Sequence, residues 1–226
     1  MQYKKNHIQT NDGSWTYRIE GLKESYHSRH GAVTESQFVY VDAGLSYWIQ
    51  NNPSSSCRIL ELGYGTGLMA YLSFISAVIQ KKAIHYTSLE PYPINLEELH
   101  LLEYQKFFDS KNCVPNFNEF SALPWEQANK ISPFFTLTKK KIRFEDFKAS
   151  SPFDVIYYDA FGAHAQPELW ESQWMQKCYD LLAPNGVWVS YCAKGSVRRA
   201  LAAAGFEVAR LAGPPGKREM LRGVKA

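Results

Sequence analysis

Short apolar runs alternate with amphipathic stretches over most of the chain. Runs of this length predict buried strands, and apolar residues repeated at helical spacing predict helices. The predicted strands are 57–62, 83–90, 142–144, 153–158, 187–191, 206–211 and 219–224. The predicted helices are 67–80, 95–108, 167–182 and 196–204, and 109–138 is expected to be a less regular insertion. This order predicts an α/β, Rossmann-like fold with a doubly wound, mostly parallel sheet, and its last two strands are expected to pair as a C-terminal antiparallel hairpin.

The first part of the chain does not follow this alternation. Residues 1–50 predict an N-terminal extension, with two short strands around the Asp12-Gly13 turn and a helix over 34–50. We expect this extension to pack on a core formed by residues 51–226, so that the chain is one structural domain overall.

A glycine-rich loop directly follows the first strand of the predicted core. It reads Glu61-Leu62-Gly63-Tyr64-Gly65-Thr66-Gly67. Glycine adopts backbone angles that other residues avoid and lets the main chain approach a ligand closely, so this strand-to-helix turn suits an adenosyl group. A dinucleotide fingerprint would need its third glycine at position 68, which is Leu68. The spacing therefore favours S-adenosylmethionine (SAM) over NAD, although a turn that only packs a helix on a sheet is the simpler alternative. The expected cofactor contacts in the loop are Glu61, Gly63, Tyr64, Gly65, Thr66 and Gly67.

Acidic side chains stand at the ends of three later predicted strands. In a doubly wound sheet, a ligand binds at the carboxyl ends of the strands, where the strand order reverses. Glu90 is placed to accept hydrogen bonds from both ribose hydroxyls. Asp146 is expected to accept one from the adenine amine, with Phe147 or a neighbour against the ring, but Glu145 could take that part. Asp159 follows an apolar strand, where burying a carboxylate without a partner costs free energy. We therefore expect Asp159 to have a functional role at the cofactor.

Composition sets limits on the class of protein. A chain of 226 residues with 45% hydrophobic content is long enough for one full core. Its apolar stretches fall short of the ~20 residues of a membrane helix, and residues 1–7 lead into no signal-type segment, so we expect a cytoplasmic protein.

The cysteines are Cys57, Cys113, Cys178 and Cys192. They form no C-x-x-C pair and are expected to be reduced and structural. His27 and His30 have no partner at metal-ligand spacing, so no metal is expected.

Positive charge is concentrated in the last part of the chain. From residue 194 onward, eight basic residues stand against two acidic ones, a net of +6, which leaves −3 for the rest of a chain whose total is +3. This asymmetry favours a polyanionic partner such as RNA. A solvated basic face on terminal secondary structure would have the same charge pattern.

Several segments together resemble a known family. They are Glu61 to Gly67, Asp159 to Phe161, Gln166 to Trp170, and Gly216 to Leu221. With Tyr26 to Ala32 and Glu35-Ser36, they resemble the methyltransferase module of the MnmC/MnmD tRNA-modifying family, and the likeness runs from about residue 26 to residue 223. The resemblance implies SAM-dependent methylation of the aminomethyl group of 5-aminomethyl-(2-thio)uridine at the wobble position of tRNA. It also implies that Glu35 and Ser36 cover the cofactor.

The two-domain members of that family also carry an FAD-dependent module that produces the amine. We expect this protein to be a stand-alone enzyme without that module and without FAD, which depends on an amine produced elsewhere. A compact single domain predicts a monomer.

The proposed chemistry assigns a role to several further residues. Only a neutral amine attacks the methyl group, so Asp159 is expected to hold the ammonium group and to accept its proton. Phe161 and Trp170 are expected to stack against the uracil ring. His164 is expected to contact the anticodon or to help the proton leave. For His164 and Trp170, packing within the loop is an equally good explanation. The expected RNA contacts are Arg29, His30, Lys194, Arg198, Arg199, Lys217 and Arg218.

Two other functional classes fit parts of this pattern. A small-molecule amine methyltransferase, or an aminopropyltransferase, shares the cofactor fold but needs no basic tail. A non-catalytic RNA-binding protein with a vestigial core needs the tail but not the glycine loop with Glu90 and Asp159.

Overall fold

The computed structural model describes residues 4–53, 56–108 and 115–226. The strands are β1 (Lys5–Gln9), β2 (Trp15–Ile19), β3 (Glu24–Ser25), β4 (Cys57–Leu62), β5 (Ile84–Leu89), β6 (Ala128–Ser132), β7 (Phe135–Lys140), β8 (Phe153–Tyr158), β9 (Leu182–Ser190), β10 (Phe206–Ala212) and β11 (Glu219–Lys225). The helices are α1 (Ala32–Ser36), a π-helix (Gln37–Ser46), α2 (Tyr47–Asn51), α3 (Leu68–Gln80), α4 (Leu96–Leu101), α5 (Gln105–Phe108), α6 (Phe117–Ser121), a 3-10 helix (Pro167–Trp170), α7 (Ser172–Leu181) and α8 (Gly195–Ala203).

The larger sheet has the predicted doubly wound arrangement. Its strand order is β10-β11-β9-β8-β4-β5-β7-β6. The pairs β9–β8, β8–β4, β4–β5 and β5–β7 are parallel. The C-terminal hairpin is confirmed, because β11 runs antiparallel to both of its neighbours, β9 and β10. The fold class predicted from the sequence is therefore confirmed.

Alternate residues of the central strands face opposite sides of the sheet. Ile59 of β4 and Tyr157 of β8 belong to a core cluster shared with α3 and the π-helix. Leu60 and Tyr158, their chain neighbours on the same two strands, belong to a second cluster with α7 and α8. Both faces of the sheet are covered, so β4 and β8 carry apolar residues on both sides.

The third core strand is not where the sequence predicted it. The strand is β7, paired with β6 in a hairpin, whereas residues 142–144 lie in a loop. The prediction was wrong because Lys139 breaks the apolar pattern of β7 although it is fully buried. Its Nζ donates a hydrogen bond to the Ser121 carbonyl at 2.9 Å and lies 4.9 Å from the centre of a Trp125 ring. Burial lowers the pKa of Lys139 to about 8.

Two predicted helices are interrupted. The helix predicted over 95–108 is divided into α4 and α5, and Glu103 between them has a φ of 52°. A capping box of Asn95 and Glu98 begins α4. The helix predicted over 167–182 begins as the 3-10 helix that precedes α7. The second change lies at a helix end, where periodicity is a poor guide to boundaries, whereas the first breaks the predicted helix in its interior at the left-handed Glu103.

The N-terminal segment forms a small sheet and a long helical segment. The strands β1, β2 and β3 pair in antiparallel order, with the predicted turn between β1 and β2. Residues 32–51 are helical throughout, and the π-helix takes up the middle of this stretch. Side chains tie the segment to the core, for example Lys5, whose Nζ lies 2.8 Å from Glu98 Oε2.

Cys57, Cys178 and Cys192 are buried and free, as expected, whereas Cys113 lies outside the described residues. Within the described parts of the chain, no helix has the length and apolar character needed to cross a membrane. Among the same residues, no cluster of three or more His, Cys, Asp or Glu side chains could hold a metal ion.

Candidate active site

A crevice of about 800 Å³ opens at the carboxyl ends of β4, β5 and β8. The chain passes from β4 to β5 on one side and returns through β8 on the other, so the strand order reverses here. The N-terminal segment supplies the opposite wall of the crevice through residues 24–28 and Glu35. The sequence-predicted residues that line it are Glu35, Gly63, Tyr64, Gly65, Thr66, Glu90, Glu145, Asp159, Phe161 and Lys217.

The glycine loop connects β4 to α3 through left-handed backbone conformations. Gly63, Gly65 and Gly67 have φ values of 90°, 49° and 77°. A Cβ atom on Gly63 would lie 2.9 Å from the Asp159 carbonyl oxygen, so glycine also allows β4 and β8 to end close together. The amide groups of Gly63 and Tyr64 both donate hydrogen bonds to the Leu89 carbonyl of β5. The loop therefore leaves an open cradle next to the crevice, which fits the adenosyl cofactor predicted from the sequence.

Glu90 braces this loop from the end of β5. Its carboxylate accepts hydrogen bonds from the backbone amides of Gly65 (3.1 Å) and Tyr92 (2.9 Å). Burial raises the pKa of Glu90, while these two hydrogen bonds oppose the rise. The side chain lines the crevice, so it has the position expected of a ribose ligand, and that role stays a prediction.

Glu61 does not line the crevice. It is fully buried beneath the loop, where Ser88 Oγ donates a hydrogen bond to its Oε2. Burial raises the pKa of Glu61 well above its usual range. A direct contact between Glu61 and the cofactor, as predicted, is therefore not supported by this arrangement.

Tyr64 and Gly67 also differ from the expected direct contacts. The Tyr64 side chain is buried in the core against Trp125, with ring centres 5.4 Å apart, so only its backbone is placed for the ligand. Gly67 precedes α3 as its N-cap and does not line the crevice. Thr66 lines it and shares a hydrogen bond of 2.8 Å with His27 Nε2.

The structure separates the two candidates for the adenine contact. Glu145 lines the crevice together with Ile142 and Phe144. Asp146 is exposed and lies outside the crevice lining, and the Phe147 ring packs in the core against Phe153. The adenine contact predicted for Asp146 is thus better placed at Glu145.

Asp159 lies at the centre of the crevice, directly after β8. Its Oδ1 accepts a hydrogen bond of 2.5 Å from the Tyr40 hydroxyl. Burial raises the pKa of Asp159 to about 7, the Tyr40 hydrogen bond opposes that rise, and the charge of Glu35 adds to it. A carboxylate with a pKa near neutrality can exchange a proton with a ligand at physiological pH.

Further charged groups of the N-terminal segment face Asp159. Glu35 lines the crevice, accepts a hydrogen bond from the Ser28 amide and pairs with Lys217, with 2.6 Å between Oε1 and Nζ. Glu24 Oε1 accepts a hydrogen bond of 2.8 Å from the Gly162 amide. These acidic groups make the crevice favourable for a cation. Ser36, predicted to cover the cofactor with Glu35, is buried and lies outside the crevice lining.

Phe161 and Trp170 occupy different layers. Phe161 lines the crevice, and its ring lies 5.4 Å from that of Tyr26. Trp170 is buried, and its Nε1 donates a hydrogen bond of 2.7 Å to the Phe161 carbonyl, so it supports the loop from below. His164 is 57% exposed, lies 3.4 Å from Glu24 Oε1, and stands outside the crevice lining.

Most of the predicted RNA contacts are exposed around the carboxyl end of the sheet. Lys194, Arg198 and Arg199 are exposed at the start of α8. Arg29, His30 and Arg218 are also exposed, and the His30 ring lies directly over Gly216. Lys217 differs, because its Nζ is engaged by Glu35 and lies 3.9 Å from the centre of the Tyr191 ring. It is therefore part of the crevice wall rather than a free surface cation.

Sequence reasoning missed four residues of the site, namely Glu24, Tyr26, His27 and Tyr40. Tyr26 and His27 belong to a segment whose sequence indicates a likeness to a family, and for His27 the sequence analysis considered only metal binding. Glu24 and Tyr40 reach the site from elements far away in the chain, and single-sequence periodicity contains no signal for such contacts.

Comparison with known proteins identifies the fold. Residues 117–226 match a family described as S-adenosyl-L-methionine-dependent methyltransferase. The crystal structure of MNMC2 from Aquifex aeolicus aligns with a TM-score of 0.75 and 23% sequence identity, over 98% of this chain and 70% of that one. The chain has the fold of a class I SAM-dependent methyltransferase.

The chain is also similar to two curated proteins, each called tRNA 5-methylaminomethyl-2-thiouridine biosynthesis bifunctional protein MnmC. The protein from Leptospira interrogans is 27% identical over 90% of this chain and 33% of its own length. The protein from Aromatoleum aromaticum is 28% identical over 88% of this chain and 32% of its own length. The chain thus spans about a third of the length of these relatives.

Proposed function

We propose that this chain is a SAM-dependent tRNA methyltransferase. Its substrate would be 5-aminomethyl-(2-thio)uridine at the wobble position, and its product the 5-methylaminomethyl nucleoside. The observation that carries the proposal is Asp159, a carboxyl group with a pKa of about 7 beside the glycine loop, in a crevice with further acidic groups. The similarity to the MnmC proteins over nine tenths of the chain supports the choice of substrate.

SAM supplies an activated methyl group on a sulfonium. The protein therefore needs to align the substrate amine and to remove one proton. Asp159 would bind the aminomethyl ammonium and accept a proton on a carboxylate oxygen. The freed nitrogen lone pair would then be available to take the methyl group that bound SAM would supply, with sulfur keeping the S–C electron pair. Alignment of this kind can contribute about 7–11 kcal/mol to lowering a barrier.

Other residues would position the two substrates. Glu90 would hold the ribose hydroxyls, and Glu145 the adenine amine, at the β5 side of the crevice. The Phe161 ring would stack on the uracil, because a splayed anticodon base is commonly held on an aromatic face. The acidic groups Glu24 and Glu35 would favour the ammonium form during binding.

The basic surface would hold the tRNA anticodon. We define this surface as Arg29, His30, Lys194, Arg198, Arg199 and Arg218. Such residues neutralise phosphates without reading the base.

We further propose that the enzyme acts in the cytoplasm as a monomer of one structural domain. It would use an amine that other enzymes supply.

The proposal is tested with labelled SAM and two kinds of acceptor. Bulk tRNA from cells lacking this protein should take up methyl groups, and mass spectrometry should show aminomethyluridine converted to methylaminomethyluridine. Asp159→Asn should reduce kcat by about 100-fold or more, while the SAM Kd changes little. Methylation of free amines but not of tRNA would instead favour the small-molecule alternative.

A further inference from the structure

The π-helix crosses the sheet unusually closely. Gly44, in this helix, lies over β8 and β9, where a Cβ atom would come within 2.8 Å of Val189 Cγ1 and 3.2 Å of Tyr157 Cε1. A side chain at this position would hold the helix away from the strands. The absence of one lets Tyr40, one helical turn earlier, reach the end of β8.

Tyr40 directs its hydroxyl to the carboxylate that the mechanism uses. Its side chain is 2% exposed, and its ring lies 5.3 Å from that of Tyr157. The hydroxyl donates to Asp159 Oδ1 at 2.5 Å. Among the described residues, this is the sole hydrogen bond to the Asp159 side chain, so the second oxygen is left for a ligand in the crevice.

We propose that Tyr40 is a positioning residue, which fixes one oxygen of Asp159 so that the other receives the proton of the substrate amine. The inference rests on the proposed function for its kinetic consequence, but the hydrogen bond itself can be tested without any substrate. This role for Tyr40 would also explain why the segment contains a π-helix, since π-helical turns are frequent at functional sites.

The electrostatic surroundings of Asp159 explain why a donor is needed. The titratable groups that act on it are Glu24 of β3, Glu35 of α1, Tyr40 of the π-helix, Glu61 of β4, Tyr191 after β9 and Lys217 between β10 and β11. Burial and the acidic members of this set favour the neutral acid. Tyr40 and Lys217 favour the carboxylate, which is the form that accepts a proton.

Tyr40 itself remains protonated throughout this exchange. Burial, followed by the charge of Asp159, raises the pKa of the Tyr40 hydroxyl well above its usual range. It therefore stays a hydrogen-bond donor around neutral pH, and the transferred proton stays on Asp159.

The test compares two variants with one matched control. Tyr40→Phe removes the donor and keeps the ring. Site-specific 3,5-difluorotyrosine at position 40 makes the phenol a stronger donor. Tyr157→Phe removes the hydroxyl of a neighbouring, fully buried tyrosine, which contacts Ser73 Oγ at 3.3 Å instead of Asp159. The readouts are the pH profile of kcat/KM with tRNA, the SAM Kd, and a ¹³C NMR titration of the Asp159 carboxyl, assigned by its loss in Asp159→Asn.

The two variants at position 40 should shift the profile in opposite directions. Without the donor, the carboxylate is less stable, so the acid limb should move up by roughly one pH unit and kcat/KM at pH 7 should fall about fivefold. Difluorotyrosine at position 40 should move the acid limb of the kcat/KM profile to lower pH. Tyr157→Phe should follow the wild type, and the SAM Kd should stay within about twofold in all of them.

An acid limb and a carboxyl titration that coincide with the wild type in both position 40 variants would overturn the proposal. If Tyr40→Phe does not fold, the fluorinated protein decides alone. If tRNA is not methylated at all, the NMR titration still tests the Tyr40 contact, so failure of the proposed function is distinguishable from failure of this inference.

Discussion

Three carboxyl groups share the end of the sheet at which the crevice opens. Glu61 is the last residue but one of β4, Glu90 and Asp159 directly follow β5 and β8, and burial raises the pKa of each. A carboxyl group that is ionised in the unfolded chain but costly to ionise in the folded protein lowers stability as the pH rises. Asp159, which would accept the proton, is thus expected to destabilise the fold at the pH at which it works.

Asp159→Asn should therefore stabilise the protein increasingly as the pH rises. The folded-state pKa of about 7 lies above the ordinary aspartate value of 3.8, so the folded state binds more protons between these two pH values and loses stability across them. The amide keeps an oxygen for Tyr40 and cannot ionise. Between pH 5 and pH 8, its advantage over the wild type should grow by on the order of 2 kcal/mol in urea unfolding. An advantage that does not change with pH would show that Asp159 titrates normally.

At the scale of elements, the long helical segment of residues 32–51 positions the site as much as the sheet does. It crosses β8 and β9 through the π-helix, and its first turn supplies Glu35 to the crevice. The close approach at Gly44 depends on the absence of a side chain. This single position therefore links the packing of the segment to the geometry of Asp159.

Gly44→Ala should destabilise the protein and slow the reaction together. The added Cβ would overlap side chains on two rigid strands, so overpacking should cost about 1–3 kcal/mol in urea unfolding. The helix would move outward and lengthen the Tyr40–Asp159 hydrogen bond, which should lower kcat. Gly195→Ala, where the nearest atom would be a flexible arginine end at 3.4 Å, is the matched control and should not be destabilised. Equal stability of the two variants would exclude a tight contact at Gly44.

Elements whose burial follows a simple pattern could be predicted from the sequence. The strands β4 and β8 are apolar on both faces, and Asp159 and Glu90 stand out because they end such runs. The strand β7 was missed because Lys139 is buried by aromatic rings and a carbonyl group that lie far away in the chain. Tyr40 was missed for the same reason, since the sequence shows an apolar helix but not the carboxylate that its hydroxyl meets.

At the scale of the whole molecule, acidic and basic groups lie in separate places. The acidic groups Glu24, Glu35 and Asp159 line the crevice. Of the charged groups that shift the pKa of Asp159, Lys217 is the one with a positive charge. The basic surface consists of exposed side chains on α8 and on the loops near residues 29 and 218. Phosphates would be attracted to the outer surface, and the charged amine to the interior.

Replacing both arginines of α8 should weaken tRNA binding and reduce its dependence on salt. Arg198→Ala/Arg199→Ala removes two exposed cations, so the slope of log Kd against log salt should fall by about 1.5. Lys106→Ala/Lys130→Ala removes the same charge from α5 and from β6, at the opposite edge of the sheet, and should leave the slope unchanged. Binding could be followed by fluorescence anisotropy of labelled tRNA. Equal slopes for the two double variants would mean that α8 does not contact the phosphates.

The position of β11 has a consequence for how the protein is made. This strand lies between β9 and β10, and both pair with it rather than with each other. During translation, β10 leaves the ribosome before β11, so it has no place in the sheet until the later strand inserts. The nascent chain consequently exposes the edge of β9 for that interval, and an unpaired edge is where pairing with another chain would begin.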